Sequence, residues 1–486
     1  WRYHATGGCV FVLNLIVAWD ATSLSSALPT IATAMDATAL QSWWLGLAFL
    51  VAATTFLPLF SILSEIFGRK GLLLSALTFY TVGSFISAVS GNLMGLLLGR
   101  ALQGLGAGGI VVLSNLIISD LAMVKDRWRW TALLGAIWAI GAVTGPLIGQ
   151  ALAVKSQWRW IFWLNLPFSV LALLILAFFA QLRDAPTEPV LPKLRSIDWL
   201  GLVLFTGSLV SFLLGLTWGG TFHTWSDFKT LLPLQLGLVG LVGFCLWSWF
   251  SPFASIVMLD DFWDVTSLVS LFGTMIQGMV VFSLLYFLPL YFNIAKSLQA
   301  TSLLPWTLSF AALAGVSFFL VSKLNYWRPA VWLGWVLTVV GVALMSLITR
   351  DSPTGMWVGI GVATGTGIGI LYPGLHVASL VNDPADDEKV SIGVTNFTFF
   401  QFLGQTLGVA VGTSVFQNEF FKNLKARPFY VEDAALYAKD AVALVVRVRG
   451  PESSSTKIQM IDSYVDALRV VWIIMAALAG VALISS

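Results

Sequence analysis

The sequence predicts an all-α polytopic membrane protein with fourteen transmembrane helices. Hydrophobic residues make up 58% of its 486 residues, and charged residues only 10%. A soluble domain of this length could not keep so much apolar surface away from water. Fourteen apolar stretches are each about as long as the roughly 20 residues that a membrane span needs. They lie at 6–33, 43–63, 71–89, 93–120, 131–154, 160–182, 198–218, 229–250, 267–292, 300–322, 329–348, 355–380, 390–416 and 464–485.

Lysine and arginine residues in the short connections predict the orientation. With the N-terminus inside, the inner connections hold twelve of these residues and the short outer ones hold five. Positive residues favour the cytoplasmic side, so the N-terminus is predicted there, and an even number of spans returns the C-terminus to the same side. The chain begins at Trp1 instead of Met, so we expect a trimmed chain whose first span acts as its membrane signal.

Two connecting segments are too polar to cross a membrane. Residues 183–197 contain Pro186, Pro189 and Pro192 and predict a cytoplasmic linker. Residues 417–463 predict a long outer loop of mixed charge, in which 432–449 has helical character. That part either lies along the membrane surface or forms a loose helix within a solvated loop.

An internal repeat divides the chain into two related halves. Prolines, arginines and rows of glycine recur at offsets from 259 (328 − 69) to 263 (404 − 141) residues, and such repeats are typical of transporters. We therefore predict six-helix bundles over 1–182 and 251–486, with an inserted helix pair over 198–250. The matched residues are Pro29 with Pro289, Arg69 with Arg328, Gly104, Gly106 and Gly108 with Gly365, Gly367 and Gly369, and Gly141, Gly145 and Gly149 with Gly404, Gly408 and Gly412.

Two charged residues lie deep in the spans. Asp20 follows Thr6 by fourteen residues, which places it roughly 21 Å from the inner end of span 1. Arg100 follows Leu93 by seven residues in span 4, which runs inward, so it lies about 20 Å from the inner side of a core about 30 Å thick. The two charges therefore share a depth at which charge is costly and commonly functional.

Five segments resemble the major facilitator superfamily, and within it the fourteen-span drug:proton antiporters of the fungal multidrug and toxin efflux type. Four resemble that family's motifs in span 1, loop 2–3, span 4 and span 5, and the last resembles the start of span 6 in fungal members. Ser61, Glu65 and Gln150 stand where the family usually has Gly, Asp and Gly. The resemblance implies the major facilitator fold, with two six-helix bundles and two inserted central helices. The segments are WDATSLSSALP (19–29), SILSEIFGRK (61–70), LGRALQGLGAGG (98–109), GAVTGPLIG (141–149) and WRWIFWLNLP (158–167).

In the resembled fold, spans 1 and 4 both line the central cavity, so we predict that Asp20 and Arg100 form a proton-coupling pair. Arginine keeps its charge at all accessible pH values, which leaves Asp20 as the group that exchanges the proton. The alternative is a static ion pair that serves only packing. The matching positions of the second half, Val280 and Gly361, carry no charge, so proton exchange is predicted in the first half.

The resemblance also implies gating residues in two places. Glu65, Gly68, Arg69 and Lys70 would latch the two halves at the inner ends of spans 2 and 3 in the outward-facing state. The alternative is that these charges only set the orientation of the chain. Small residues every fourth position let helices approach and slide, so the span 5 motif is predicted to allow rocking as well as packing. Partners proposed for Glu65 are Lys125, Arg127 and Arg129, and the span 5 residues are Gly141, Gly145, Pro146 and Gly149.

The substrate cavity is predicted between spans 1, 2, 4, 5, 9, 10, 12 and 13. An apolar, aromatic lining with few hydrogen-bonding groups suits a neutral amphipathic compound. Most of these side chains could instead face lipid or pack between helices. His376 and His223 are interpreted as solvated or capping residues. The predicted substrate-binding residues are Asn14, Gln103, Asn115, Trp138, Gln277, Tyr286, Tyr291, Asn396, Phe400 and Gln401.

These observations predict a proton-coupled secondary transporter that exports small amphipathic organic compounds, such as drugs, toxins or secondary metabolites, by alternating access. One alternative is a vacuolar transporter of basic amino acids or siderophores, and another is a nutrient receptor that does not transport. We expect no enzymatic activity, because the sequence shows no metal-ligand cluster, phosphate loop or catalytic triad. The expected partners are substrate, protons and lipid but no nucleic acid. We also expect no cofactor beyond the proton gradient, a monomer, and a location in the plasma membrane or, alternatively, the vacuolar membrane.

Overall fold

The computed structural model describes residues 2–121, 127–155, 157–179, 182, 197–219, 223–250, 265–298, 300–324, 326–379, 387–428, 430–445 and 455–486. Within these ranges, fourteen helices are long and apolar enough to cross a membrane, which confirms the predicted all-α polytopic fold. The helices are α1 (Arg2–Ala34), α2 (Ala39–Phe67), α3 (Arg69–Val89), α4 (Leu93–Leu121), α5 (Arg127–Val154), α6 (Trp160–Phe179), α7 (Trp199–Trp218), α8 (Phe228–Phe250), α9 (Val265–Ala295), α10 (Leu304–Leu324), α11 (Trp327–Met345), α12 (Thr354–Ala378), α13 (Asp387–Lys425) and α14 (Ser455–Ser485).

The same helix packing occurs in both halves of the chain. In the first half α1 packs on α5, α4 packs on α2 and α3, and α6 packs on α1 and α3. In the second half α9 packs on α13, α12 packs on α10 and α11, and α14 packs on α9 and α11. Each pair recurs eight helices later, so the predicted architecture of two six-helix bundles around an inserted pair is confirmed.

Glycine residues bring the paired helices into backbone contact. A Cβ atom on Gly149 of α5 would collide with the carbonyl oxygen of Ser23 in α1, and one on Gly408 of α13 would collide with the carbonyl oxygen of Met279 in α9. Helices can approach this closely only where the residue at the crossing has no side chain. The glycine rows that define the repeat therefore lie at equivalent helix crossings.

The inserted helices α7 and α8 pack on each other, and α7 contacts α2 and α13. Asp198 caps the start of α7 by accepting a hydrogen bond of 2.8 Å from the backbone N–H of Gly201. The indole N–H of Trp247 in α8 donates to both oxygens of the same carboxylate, at 2.9 and 3.0 Å. One buried carboxylate thus joins the start of α7 to the end of α8.

The structure corrects the outer loop predicted over 417–463. Helix α13 continues to Lys425 and α14 begins at Ser455, so the connection covers only 426–454. Within it, the described part of the predicted helical region 432–449 contains the short helix Ala434–Lys439, and residues 446–454 lie outside the described ranges. The described part is packed, because Ala441 and Val442 are buried and the hydroxyl of Tyr464 donates to the carbonyl of Ala441 at 2.5 Å. It is therefore not a solvated loop.

Residues 183–196 of the predicted cytoplasmic linker and 251–264 at the start of the second half lie outside the described residues. The described part of the second half begins with α9 at Val265.

Candidate transport site

A buried ion pair joins α1 to α4. The Nη1 atom of Arg100 lies 2.5 Å from Oδ2 of Asp20, and neither side chain has any exposed surface. The equal depth inferred from the helix rise is therefore realised as direct contact. Charges buried in a low-dielectric interior need such partners, because leaving one unpaired is strongly destabilising.

Amide side chains complete the surroundings of the carboxylate. Asn165 of α6 donates to Oδ1 of Asp20 at 3.0 Å, and Nε2 of Gln103 lies 3.4 Å from the same atom. Gln103 also accepts a hydrogen bond of 3.0 Å from Arg100. Asp20 is thus held by α4 and α6 together, and the sequence analysis did not identify Asn165 as part of the site.

Aromatic rings shield the guanidinium. Its central carbon lies 4.4 Å from the ring centroid of Phe49 and 5.8 Å from that of Phe162. Arg100 Nε donates to the carbonyl of Leu45 at 3.2 Å, whereas Nη2 is buried without a hydrogen-bond partner among the described residues. Cation–π contacts of this kind stabilise a desolvated guanidinium, so the arginine is a fixed positive charge in a site closed to water.

A separate cavity lies between the two halves and is lined by residues of both. Its described lining contains no Asp, Glu, Lys or Arg. The polar lining residues are Asn14, Thr22, Asn115, Thr131, Gln277, Tyr372, His376, Gln401 and Gln405, and the large aromatic ones are Trp138, Phe282, Phe310, Phe397 and Phe402.

The ion pair and the cavity lie on different faces of α1. Asn14 and Thr22 line the cavity, whereas Asp20 is fully buried beside α4 and α6 and does not line it. At 3.6 residues per turn, side chains two positions apart on a helix differ in direction by roughly 200°. Thr22 and Asp20 therefore point in nearly opposite directions. Helix α1 therefore forms the wall between the two sites.

Five of the ten predicted substrate residues line the cavity, namely Asn14, Asn115, Trp138, Gln277 and Gln401. The other five are placed elsewhere. Gln103 belongs to the ion-pair site, and the Tyr291 hydroxyl donates to the carbonyl of Thr349 at 3.1 Å near the outer surface.

The remaining three of these residues lie outside the cavity lining. Tyr286 packs against Trp43 of α2 with ring centroids 6.2 Å apart, and Phe400 packs against Phe399 at 5.3 Å. Asn396 is buried and is not part of the cavity lining. The position of each residue along its helix was inferred correctly, but the direction in which its side chain points was not.

The sequence analysis missed several polar lining residues. Tyr372 and His376 are four residues apart on α12, and the missed Gln405 lies four residues beyond the predicted Gln401 on α13, so each pair shares a helix face. That spacing was the available signal. His376 was interpreted as solvated or capping, but it is 6% exposed and lies against Phe397 with ring centroids 4.7 Å apart. His223, by contrast, lies in the outer loop with Nδ1 3.2 Å from a carboxylate oxygen of Asp227.

The predicted gating residues of loop 2–3 lie at the junction of α2 and α3. Gly68 links the helices with φ 81° and ψ 156°, a conformation that essentially only glycine adopts. Arg69 is buried and its Nε lies 3.1 Å from Oδ2 of Asp120 at the end of α4, a partner that the sequence analysis missed. Arg69 also contacts the hydroxyl of Ser64. The loop is thus tied to α4 within its own half.

The other loop 2–3 residues are only partly defined. Glu65 is exposed and Lys70 is partly buried. The side chains of Lys125 and Arg127, which were proposed as partners of Glu65, lie outside the described residues, and Arg129 is exposed on α5.

The span 5 motif lies along the contact of α5 with α1. Thr22 donates to the carbonyl of Gly141 at 3.2 Å, and Ser26 donates to the carbonyl of Pro146 at 2.8 Å. Added Cβ atoms on Gly141 and Gly145 would collide with Ala18 and Thr22. This motif therefore packs α5 on the helix that carries Asp20.

The two halves touch at both ends of the cavity. At the outer end Trp43 of α2 packs against Phe287 of α9 and Phe416 of α13, with ring centroids 4.9 and 6.5 Å apart. At the inner end the hydroxyls of Ser61 in α2 and Thr395 in α13 lie 2.8 Å apart. The helices α2 and α13 thus form a continuous seam between the halves.

A family model described as Major Facilitator Superfamily matches residues 10–409. The chain belongs to this superfamily. A bacterial protein has the same fold. It is described as a homologue of the human lysosomal transporter Spinster and was solved in an inward-facing and unoccupied conformation. The TM-score is 0.65 at 14% identity, and the match covers 100% of this chain and 96% of the other.

Curated members of the superfamily from fungi match along nearly the full chain. MFS transporter L2 of Phoma sp. is 36% identical over 100% of this chain and 81% of the relative. Efflux pump FUS6 of Gibberella moniliformis is 30% identical over 95% of this chain and 83% of the relative. The Acurin A biosynthesis cluster MFS-type transporter of Aspergillus aculeatus is 30% identical over 97% of this chain and 86% of the relative.

These matches confirm the predicted class: this superfamily member is an integral, multi-pass membrane transporter of small molecules. They do not assign roles to single residues, so proton coupling by Asp20 and Arg100, gating and substrate contacts stay predictions.

Proposed function

We propose that this transporter uses the proton gradient to export small amphipathic organic compounds, and that Asp20 is the group that exchanges the proton. The observation that carries the proposal is the fully buried Asp20–Arg100 pair on α1 and α4. Ionisable residues inside a membrane protein commonly mark ion pathways or proton relays. The curated relative that is named an efflux pump supports the direction of transport.

Helix α1 can couple the two sites because it borders both. Protonation of Asp20 would remove the charge that Arg100 and Asn165 hold, and would weaken the contacts of α1 with α4 and α6. Any resulting shift of α1 moves Asn14 and Thr22, which line the cavity on its other face. Proton and substrate would then affect each other through the helix without competing for one carboxylate, and such linkage is reciprocal.

The cavity favours amphipathic organic substrates over basic amino acids. A basic amino acid carries a permanent positive charge in its side chain, and the described lining offers no carboxylate to pair with it. Amide and hydroxyl groups among aromatic rings instead suit an apolar body with a few polar groups. The relative named for a biosynthesis cluster supports secondary metabolites as substrates.

The proposal also covers the membrane, the oligomeric state and the cofactor requirement of the transporter. We place the transporter in the plasma membrane, where export removes a compound from the cell. It acts as a monomer, changes no covalent bond of its substrate, and needs no cofactor besides the proton gradient.

Transport by purified protein in liposomes with an imposed pH gradient tests the proposal. Pyrene derivatives with an acidic, a neutral and a basic end group serve as fluorescent probes of matched size. We expect the wild type to accumulate at least one probe against its concentration gradient. Asp20→Asn should still bind that probe but should no longer accumulate it, because the amide cannot exchange a proton at this position.

Asp198→Asn is the matched control, because Asp198 is equally buried but caps α7 away from the cavity. An asparagine can still cap a helix, so this variant should transport normally. Full proton-driven accumulation by Asp20→Asn would exclude Asp20 as the proton-exchanging group.

A further inference from the structure

His376 is a buried basic side chain that faces the cavity. It lies on α12, is 6% exposed and contributes to the cavity lining. Its ring packs edge-on against Phe397 at 4.7 Å and tilted against Phe318 at 5.9 Å between ring centroids. Among the described residues, neither imidazole nitrogen has a hydrogen-bond partner, and only the backbone carbonyl of His376 accepts one, from Ser379.

A buried polar group without a partner costs free energy unless something else satisfies it. An imidazole carries one N–H donor and one nitrogen that can accept a proton. Because the ring lines the cavity, the substrate itself is the available partner. The only other titratable side chain in the described lining is Tyr372, one helical turn earlier on α12.

This arrangement distinguishes acidic from basic substrates. An acidic O–H of the substrate can pass its proton to the free imidazole nitrogen, which leaves an oxyanion hydrogen-bonded to an imidazolium. The net charge of the cavity does not change in this step. Charge-assisted hydrogen bonds of this kind are stronger than hydrogen bonds between neutral groups. An amine would find no carboxylate in the described lining, since Asp20 lies behind α1.

We propose that the exported compound is an amphipathic weak organic acid whose acidic group binds His376. Its apolar body would lie among the aromatic rings of Phe282, Phe310 and Phe402, which line the same cavity. This proposal rests on the proposed function, because it names the class of compound that the cavity exports. It makes His376 the residue that determines specificity.

Binding of three probes that differ only in their end group tests this proposal. Pyrenebutyric acid, pyrenebutanol and pyrenebutylamine share one ring system and chain, and their binding to purified protein can be followed by energy transfer from tryptophan to pyrene. We expect the acid to bind about tenfold or more tightly than the alcohol, as for a hydrogen bond to a charged group. The amine should bind no better than the alcohol.

Variants of His376 show whether the histidine causes the preference. His376→Phe keeps an aromatic ring beside Phe397 but has no ring nitrogen, and should bind acid and alcohol equally. His376→Gln keeps hydrogen-bonding groups without basicity and should also lose the preference. His223→Phe, which changes a histidine outside the cavity lining, should retain it.

Three results would overturn the proposal: the wild type binds acid and alcohol equally, the preference for acid survives in both His376 variants, or no probe binds. Failure here is distinguishable from failure of the proposed function. Proton-driven export of the alcohol or the amine that depends on Asp20 would support export and exclude the acid preference. A preference for the acid together with full transport by Asp20→Asn would support the acid preference and exclude Asp20 as the proton-exchanging group.

Discussion

At the scale of single residues, the buried Asp20–Arg100 pair predicts that removing one charge destabilises the protein more than removing both. Arg100→Gln leaves a buried carboxylate without its cation, and breaking a buried pair in this way costs roughly 3–5 kcal/mol. The added change Asp20→Asn removes the unpaired charge. We therefore expect the double variant to unfold at a higher temperature than Arg100→Gln alone, while both lack proton-driven transport.

Thermal unfolding in detergent, followed by size-exclusion chromatography, measures this difference. Asp20→Asn alone is the complementary variant and should also unfold at a lower temperature than the double variant, because it leaves the buried Arg100 guanidinium without its carboxylate. A double variant less stable than Arg100→Gln would contradict the account of the pair.

Gly68 predicts a second effect at this scale. Its φ of 81° and ψ of 156° are strained for any residue with a Cβ atom, at a cost of about 1–3 kcal/mol. Gly68→Ala should therefore lower the unfolding temperature and disturb the adjacent contact of Arg69 with Asp120. Gly71→Ala is the matched control, because an added Cβ there meets no atom within 4 Å. Equal unfolding temperatures for the two variants would contradict this expectation.

At the scale of helices, the contact of α5 with α1 links the packing of the first half to the proton site. A Cβ atom on Gly149 would press against the backbone of Ser23, three residues beyond Asp20. Overpacking of this kind costs about 1–3 kcal/mol, so Gly149→Ala should be less stable and slower in transport than wild type. Gly207→Ala in α7, where an added Cβ has open space, should change neither unfolding temperature nor transport rate.

For the inserted helices α7 and α8 we expect a different result, a loss of stability without a loss of proton coupling. Asp198→Ala removes the cap of α7 and the acceptor for Trp247, which together are worth roughly 1–3 kcal/mol. The unfolding temperature should fall, whereas accumulation of a probe per folded molecule should not. Loss of accumulation in a folded Asp198→Ala protein would show that α7 and α8 take part in coupling.

At the scale of the whole molecule, the sequence predicts what depends on distance along a helix and fails where rotation or burial decides. The rise per residue placed Asp20 and Arg100 at one depth, and the repeat placed equivalent glycines at equivalent crossings. Hydropathy alone does not tell which way a side chain faces inside a helix that is apolar on all sides. Tyr286 and Tyr291 were therefore assigned to the cavity, and His376 was interpreted as solvated or capping.

The same reason explains the error in the outer segment. Residues from Gln417 to Lys425 are too polar to be read as a span, so the hydropathy pattern ends α13 before the helix does. Helix α14 likewise begins at Ser455, before its apolar part. Polar turns that project beyond a bilayer are stabilised by packing against neighbours, which composition does not record.

The seam between α2 and α13 predicts how the whole molecule moves. Alternating access requires the halves to separate at one end while they touch at the other, and the Ser61 and Thr395 hydroxyls touch at the inner end, 2.8 Å apart. In a background with Cys9 and Cys245 replaced by serine, the pair Ser61→Cys and Thr395→Cys should form a disulfide on oxidation. This bond should stop transport, and reduction should restore it.

A disulfide within one half controls for the chemistry of oxidation. The hydroxyls of Thr349 and Ser352 lie 3.2 Å apart in a single outer connection, so the pair Thr349→Cys and Ser352→Cys joins no moving parts. Oxidation of this variant should leave transport unchanged. Undiminished transport with Ser61→Cys and Thr395→Cys fully cross-linked would contradict opening at the inner end of the seam. It would require the substrate to pass between other helices, such as α5 and α10, which also join the two halves.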